Sequence, residues 1–177
     1  MKNVYIVISQ TGTVLSRLIG LFTKCDYNHS SLSLDESLET MFSFGRLDPY
    51  DPLVGGFVRE GRNIGTFKRF SNTRVMVLQV PVGENSYEAI KEEIREMYLR
   101  RNRYRYNYQG LFLAAIGVDL RRKRAFYCSQ FVRNVLVENQ AIEAGALPKV
   151  TTPKDFLTLS KAKVVYEGLL RAYPAAL

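Results

Sequence analysis

The chain has one histidine, His29, and two cysteines, Cys25 and Cys128, in 177 residues. So few cysteines exclude a disulfide scaffold and agree with a reducing compartment. One histidine also leaves a metal site short of ligands. Cys25, His29 and Cys128 would make three at most, with no CxxC or HExxH spacing, so neither a metal nor another cofactor is expected. P-loop, GxGxxG and GxSxG motifs are absent as well. Long apolar runs are missing too: Leu111 to Val118 (LFLAAIGV) is less than half of the roughly 20 residues a spanning helix needs. Near the N-terminus only Val4 to Ile8 is continuously apolar, short of the about 7 to 15 residues at the core of a secretory signal. Those five residues fit a β-strand better, and a cytoplasmic protein with no integral membrane segment is expected.

What is present is ordinary globular material. Hydrophobic residues make up 46% of the chain and aromatics 12%, with 11 Tyr and 10 Phe, which is too aromatic for disorder and enough for one sizeable core. The length predicts a single domain over residues 1–177. The net charge of +8 is unevenly placed. Arg100, Arg101, Arg103, Arg105, Arg121, Arg122, Lys123 and Arg124 face one acid, Asp119, within that stretch, and the rest of the chain is nearly neutral. Such a segment suits an anionic partner: a small molecule, a peptide, a lipid headgroup or nucleic acid.

Patterning predicts a mixed fold. Val4 to Ser9 reads as a buried strand, and helical spacing of apolar residues predicts a helix over Thr13 to Phe22. Tyr27 to Phe44 reads as a hairpin turning at Asp35-Glu36-Ser37. The Gly- and Pro-rich stretch from Gly45 to Gly65 reads as a long irregular loop, one wall of a cleft. Thr73 to Val80 predicts a strand ended by Pro81. Ser86 to Arg101 predicts a helix, with Asn85 and Glu88 as its capping box. Further helices are predicted over Tyr108 to Val118, from Tyr127 to Asn139, and after Thr152-Pro153, with a last strand at Val164 to Tyr166. Strands and helices do not alternate as βαβ units, so the class is α+β.

Cys128 is the residue whose setting points to chemistry. It stands at the start of an amphipathic helix, where unpaired N–H groups and the helix dipole favour a thiolate, and Arg121 to Arg124 lie just upstream. Any base must be His29, the one imidazole available. A hairpin turning on Glu36 places Ser43 opposite His29, with Cβ atoms roughly 5 Å apart, as the group that orients the ring. Glu39 shares that face but pairs with Ser33, about 13 Å further along the strand.

The segments Tyr27-Asn28-His29-Ser30-Ser31-Leu32 and Tyr127-Cys128-Ser129-Gln130-Phe131-Val132 resemble the permuted branch of the NlpC-type papain-like cysteine hydrolases, which includes YiiX-like proteins and relatives of lecithin:retinol acyltransferase. Met41-Phe42-Ser43-Phe44-Gly45-Arg46 and Tyr106-Asn107-Tyr108-Gln109-Gly110 are similar to that group as well. The order, His strand first and Cys helix later, is that of the permuted branch. The resemblance implies a circularly permuted papain-like domain with a central antiparallel sheet. It implies Cys128 as nucleophile, His29 as base and Ser43 at the third position, where relatives carry His, Glu, Asn or Gln. Tyr106, Tyr127 and Ser129 are then expected to contact substrate, together with Arg124 of the basic segment. The implied reaction is thiol-dependent hydrolysis or acyl transfer on an amide, ester or thioester. The alternative is a non-enzymatic module that binds nucleic acid or anionic lipid through Arg100 to Arg124, with Tyr104, Tyr106 and Tyr108 stacking.

Overall fold

Five apolar residues in a row, Val4 to Ile8, can be accommodated in a strand only if both faces of its sheet are covered. The computed structural model describes residues 1–10, 27–48 and 50–174, and in it both faces are covered. The elements run β1 (Lys2–Gln10), β2 (His29–Ser33), β3 (Met41–Asp48), β4 (Asp51–Glu60), α1 (Gly65–Arg69), β5 (Arg74–Val82), α2 (Glu84–Leu99), β6 (Arg105–Tyr106), α3 (Tyr108–Ala114), β7 (Ala125–Phe126), α4 (Cys128–Glu138) and β8 (Lys163–Leu169). Six strands form one sheet in the order β4-β3-β2-β1-β5-β8, every neighbouring pair antiparallel. Val4, Ile6 and Ile8 point to one face, where Ile90 and Ile94 of α2 and Phe131, Val132 and Val135 of α4 complete the main core. Tyr5 and Val7 point to the other, against Leu38, Met41, Phe67, Val77 and Leu170. The fold is a single α+β domain with a mostly antiparallel sheet. Among the described residues no helix is long and apolar enough to cross a membrane.

The helix expected over Thr13 to Phe22, and Cys25 with it, lie outside the described residues. The hairpin forms between β2 and β3, but in another register. Leu32 faces Phe42 and Ser33 faces Met41, two residues along from the pairing that a turn on Glu36 would give. The connection bends instead around Ser37, whose N–H donates to Asp35 Oδ1 at 2.9 Å. Leu38 follows with φ +56° and a fully buried side chain. Burying a leucine contributes about 1.5–3 kcal/mol, enough to offset the about 1–2 kcal/mol of a left-handed residue.

The irregular loop expected over Gly45 to Gly65 consists mainly of paired strands, Phe44 facing Phe57 and Gly45 facing Gly56. Its glycines answer to close packing. A Cβ on Gly55 would stand 2.8 Å from Tyr106 Cβ and 2.9 Å from the Tyr108 hydroxyl, and one on Gly56 would stand 3.2 Å from the Tyr104 carbonyl. The chain around β6 presses on β4 there. Helix α2 begins at Glu84, with Gly83 as N-cap and no side-chain cap, so the Asn85/Glu88 box does not form. Strand β5 runs through Pro81 to Val82, beyond the last β8 pairing at Gln79, where that flank is an edge and proline is tolerated.

Candidate active site

Two short strands bring the Cys128 segment and a tyrosine together. β6 and β7 pair in parallel, Tyr106 opposite Phe126. Asn107 locks the junction: its N–H donates to the Phe126 carbonyl at 3.0 Å, its Oδ1 accepts from Gly110 N at 3.0 Å, and its Nδ2 donates to the Leu120 carbonyl at 3.0 Å. One residue after β7 the extended Tyr127 (φ −97°, ψ 165°) caps α4, and Cys128 is the first helical residue. Its backbone N–H has no partner within the helix. Although it stands at the very end of the helix, Cys128 is buried, only 4% exposed. The His29 ring, the backbone of Ser30 and the Tyr106 hydroxyl all reach its sulfur.

His29 opens β2 and sends Nε2 to the carboxylate of Glu60, 3.1 Å from each oxygen. Ser31, two residues on and on the same strand face, donates its hydroxyl to Glu60 Oε2 at 2.6 Å and lies 3.3 Å from His29 Nε2. Glu60 is on β4, two strands away from His29, with β3 between them. The intervening residue beside the pair is Gly45, where a long side chain would stand between ring and carboxylate. A Cβ there would lie 3.5 Å from Glu60 Oε1 and 3.6 Å from His29 Cε1. Phe67 of α1 lies against the imidazole with ring centroids 6.3 Å apart. The imidazole and carboxylate side chains keep 16% and 9% exposure.

The electrostatics of these groups agree on one protonation pattern. For His29, burial disfavours the imidazolium, but the Glu60 charge and hydrogen bonds to Cys128 and Glu60 outweigh it and push the pKa up to about 10. For Cys128, burial pushes the thiol up. The His29 hydrogen bond and charge, together with the N–H groups of Ser30 and Ser129, more than offset that and hold it below its ordinary value. Both shifts favour the charged members of the pair, thiolate and imidazolium. Tyr106 is driven the other way by burial and by the neighbouring Cys128 charge, so its phenol stays protonated and donates to the sulfur.

Of the residues singled out from the sequence, the fold brings together Cys128, His29 and Tyr106. Ser43 does not reach His29. Its hydroxyl donates to the Ser30 carbonyl at 2.6 Å, because the hairpin register sets Gly45, not Ser43, beside the ring. Ser129 donates to the Thr151 carbonyl at 2.6 Å and is buried. Tyr127 is buried, and burial raises its phenol pKa. Arg124 is exposed on the surface, its carbonyl accepting from Arg105 N at 3.0 Å. Glu60 and Ser31 were missed. The run Phe57-Val58-Arg59-Glu60 carries a strand-like alternation that could have found Glu60, had the glycines before it not read as a loop. Among the described residues no three His, Cys, Asp or Glu side chains group as metal ligands.

Compared with family models, curated proteins and solved structures, the chain matches none of them.

Proposed function

We propose that the protein is a cysteine-dependent hydrolase or acyltransferase, acting through a covalent thioester at Cys128 in a permuted papain-like arrangement of the NlpC type. The observation that carries this reading is that the only imidazole in the chain touches Cys128 and Glu60 at once. Nε2 is committed to the carboxylate, which leaves Nδ1 as the nitrogen available to the sulfur. Glu60, not Ser43, then fills the third position, orienting the ring and stabilising its charge as an acid does in thiol and serine triads.

The steps balance on these groups. The Cys128 thiolate attacks the carbonyl carbon and forms a C–S bond. The bond to the leaving group breaks, and the imidazolium gives that group its proton. Neutral His29 next takes a proton from water or another acceptor, whose oxygen or nitrogen attacks the thioester. The C–S bond breaks, and thiolate and imidazolium are restored. In each half the carbonyl oxygen gains negative charge. The backbone N–H of Cys128, and the neutral Tyr106 phenol that lies against the sulfur, are the donors we propose for it. A free thiolate suits a compartment that keeps thiols reduced, the cytoplasm.

The test is trapping. Incubation with p-nitrophenyl acetate, followed by peptide mass analysis, is expected to place an acetyl group on Cys128 that disappears with time. His29→Ala is expected to accumulate far less. Acetylation spread over lysines with Cys128 unmodified would contradict the reading.

A further inference from the structure

We infer that the lobe formed by α3 and the basic segment after it is a docking surface for an anionic lipid bilayer. In α3 only Gly110 is buried, and beyond it Phe112 is 64% exposed, Ile116 74% and Val118 46%. These side chains are held in an ordered turn. Gly117 sits at φ +79°, its N–H donates to the Ala114 carbonyl at 3.0 Å, and the Val118 N–H donates to the Leu113 carbonyl at 2.9 Å. That is a Schellman cap, which ordinarily folds its hydrophobic residue back on the helix; here Val118 stays half in solvent.

The chain then returns alongside the helix. The Leu120 carbonyl is bonded to Asn107, and Arg122 Nη1 donates to Gln109 Oε1 at 3.4 Å. Arg121, Arg122, Lys123 and Arg124 are all exposed. Arg121 meets Asp119 at 2.7 Å, whereas among the described residues Arg122, Lys123 and Arg124 meet no carboxylate within ion-pairing distance. An aliphatic and aromatic tip with a cationic flank is the arrangement of an interfacial anchor: apolar groups enter the acyl boundary, and cations meet lipid phosphates. The charge argues against a second copy of the chain, since two such lobes would oppose like charges. Nucleic acid is disfavoured because Phe112, Ile116 and Val118 offer nothing to phosphates, while Tyr104 and Tyr106, which would have to stack on bases, pack against the core.

The inference does not depend on the thiol chemistry, and Cys128→Ser is expected to dock unchanged. The experiment is co-sedimentation of the full chain with phosphatidylcholine vesicles, with and without phosphatidylglycerol. Binding is expected on the anionic vesicles, at least about tenfold weaker on neutral ones, and weakened as salt shortens the Debye length. Phe112→Ser with Ile116→Ser is expected to weaken it about tenfold with an unchanged melting temperature, as burial of apolar area at an interface requires. Arg122→Glu with Lys123→Glu should abolish it. Three outcomes overturn the inference: no binding to anionic vesicles, binding indifferent to Phe112 and Ile116, or a dimer or oligonucleotide complex lost in those variants while vesicles are ignored.

Discussion

His29 reaches Glu60 across a strand that lies between them, through a gap left by Gly45. The imidazole and the carboxylate belong to β2 and β4, and a Cβ on the β3 residue would stand within 3.6 Å of both. The pair is tied by two 3.1 Å contacts and braced by the Ser31 hydroxyl, so the orientation of the ring is fixed.

Gly45→Ala is expected to be tolerated, because its Cβ would meet Val58, Glu60 and His29 at ordinary contact distances of 3.4 to 3.6 Å. Gly45→Leu fills the line between ring and carboxylate. It is expected to slow alkylation of Cys128 by iodoacetamide roughly tenfold at neutral pH, equivalent to about one unit in the thiol pKa. Equal rates in both variants would show that the gap does not matter.

Glu60→Gln removes the charge that raises His29. Its pKa is expected to fall from about 10 toward the ordinary 6.5, and the acid limb of Cys128 alkylation to move to higher pH. The effect on stability has a definite sign. A raised imidazole pKa contributes stability that is fully present below 6.5 and is lost as pH rises through about 10. The lowered Cys128 pKa works oppositely: its contribution is present above the ordinary value of 9.0 and is lost as pH falls through the folded one. Because Glu60 acts chiefly on the imidazole, denaturation of wild type and Glu60→Gln should differ by about 1–3 kcal/mol near neutrality. That difference should narrow as pH rises through about 10.

Tyr106→Phe separates a resting hydrogen bond from a catalytic one. Losing one donor to the sulfur is expected to slow alkylation only severalfold. If the phenol also serves the developing oxyanion, turnover of an activated ester should drop by about 100- to 1000-fold. Parallel losses in both assays would confine Tyr106 to the thiolate.

How much of the fold and site was legible in the sequence depended on how local the signal is. The buried strand at Val4 to Ser9 and the helices over Ser86 to Arg101 and from Tyr127 were legible, because each writes its period into adjacent residues. Cys128 could be named from its place at the start of that last helix, and His29 as the one imidazole in the chain. Glu60 could not, because its partnership depends on two strand registers in succession and on the absence of a side chain at Gly45. The Ser43 pairing failed by a two-residue shift of register, in a connection that bends around Ser37 and buries Leu38. Gly55 and Gly56 read as loop signals although they record the approach of Tyr104, Tyr106 and Tyr108 to β4.

The most direct test of the thiolate–imidazolium pair is the pH dependence of iodoacetamide labelling at Cys128, followed by peptide mass analysis in wild type and His29→Ala, with Cys25 as the comparison within the same chain. The account predicts that labelling of Cys128 persists to a lower pH than for an ordinary thiol, and in His29→Ala a slower rate whose acid limb moves back up. A Cys128 profile that matches an unperturbed thiol, and is the same with and without the imidazole, would contradict it.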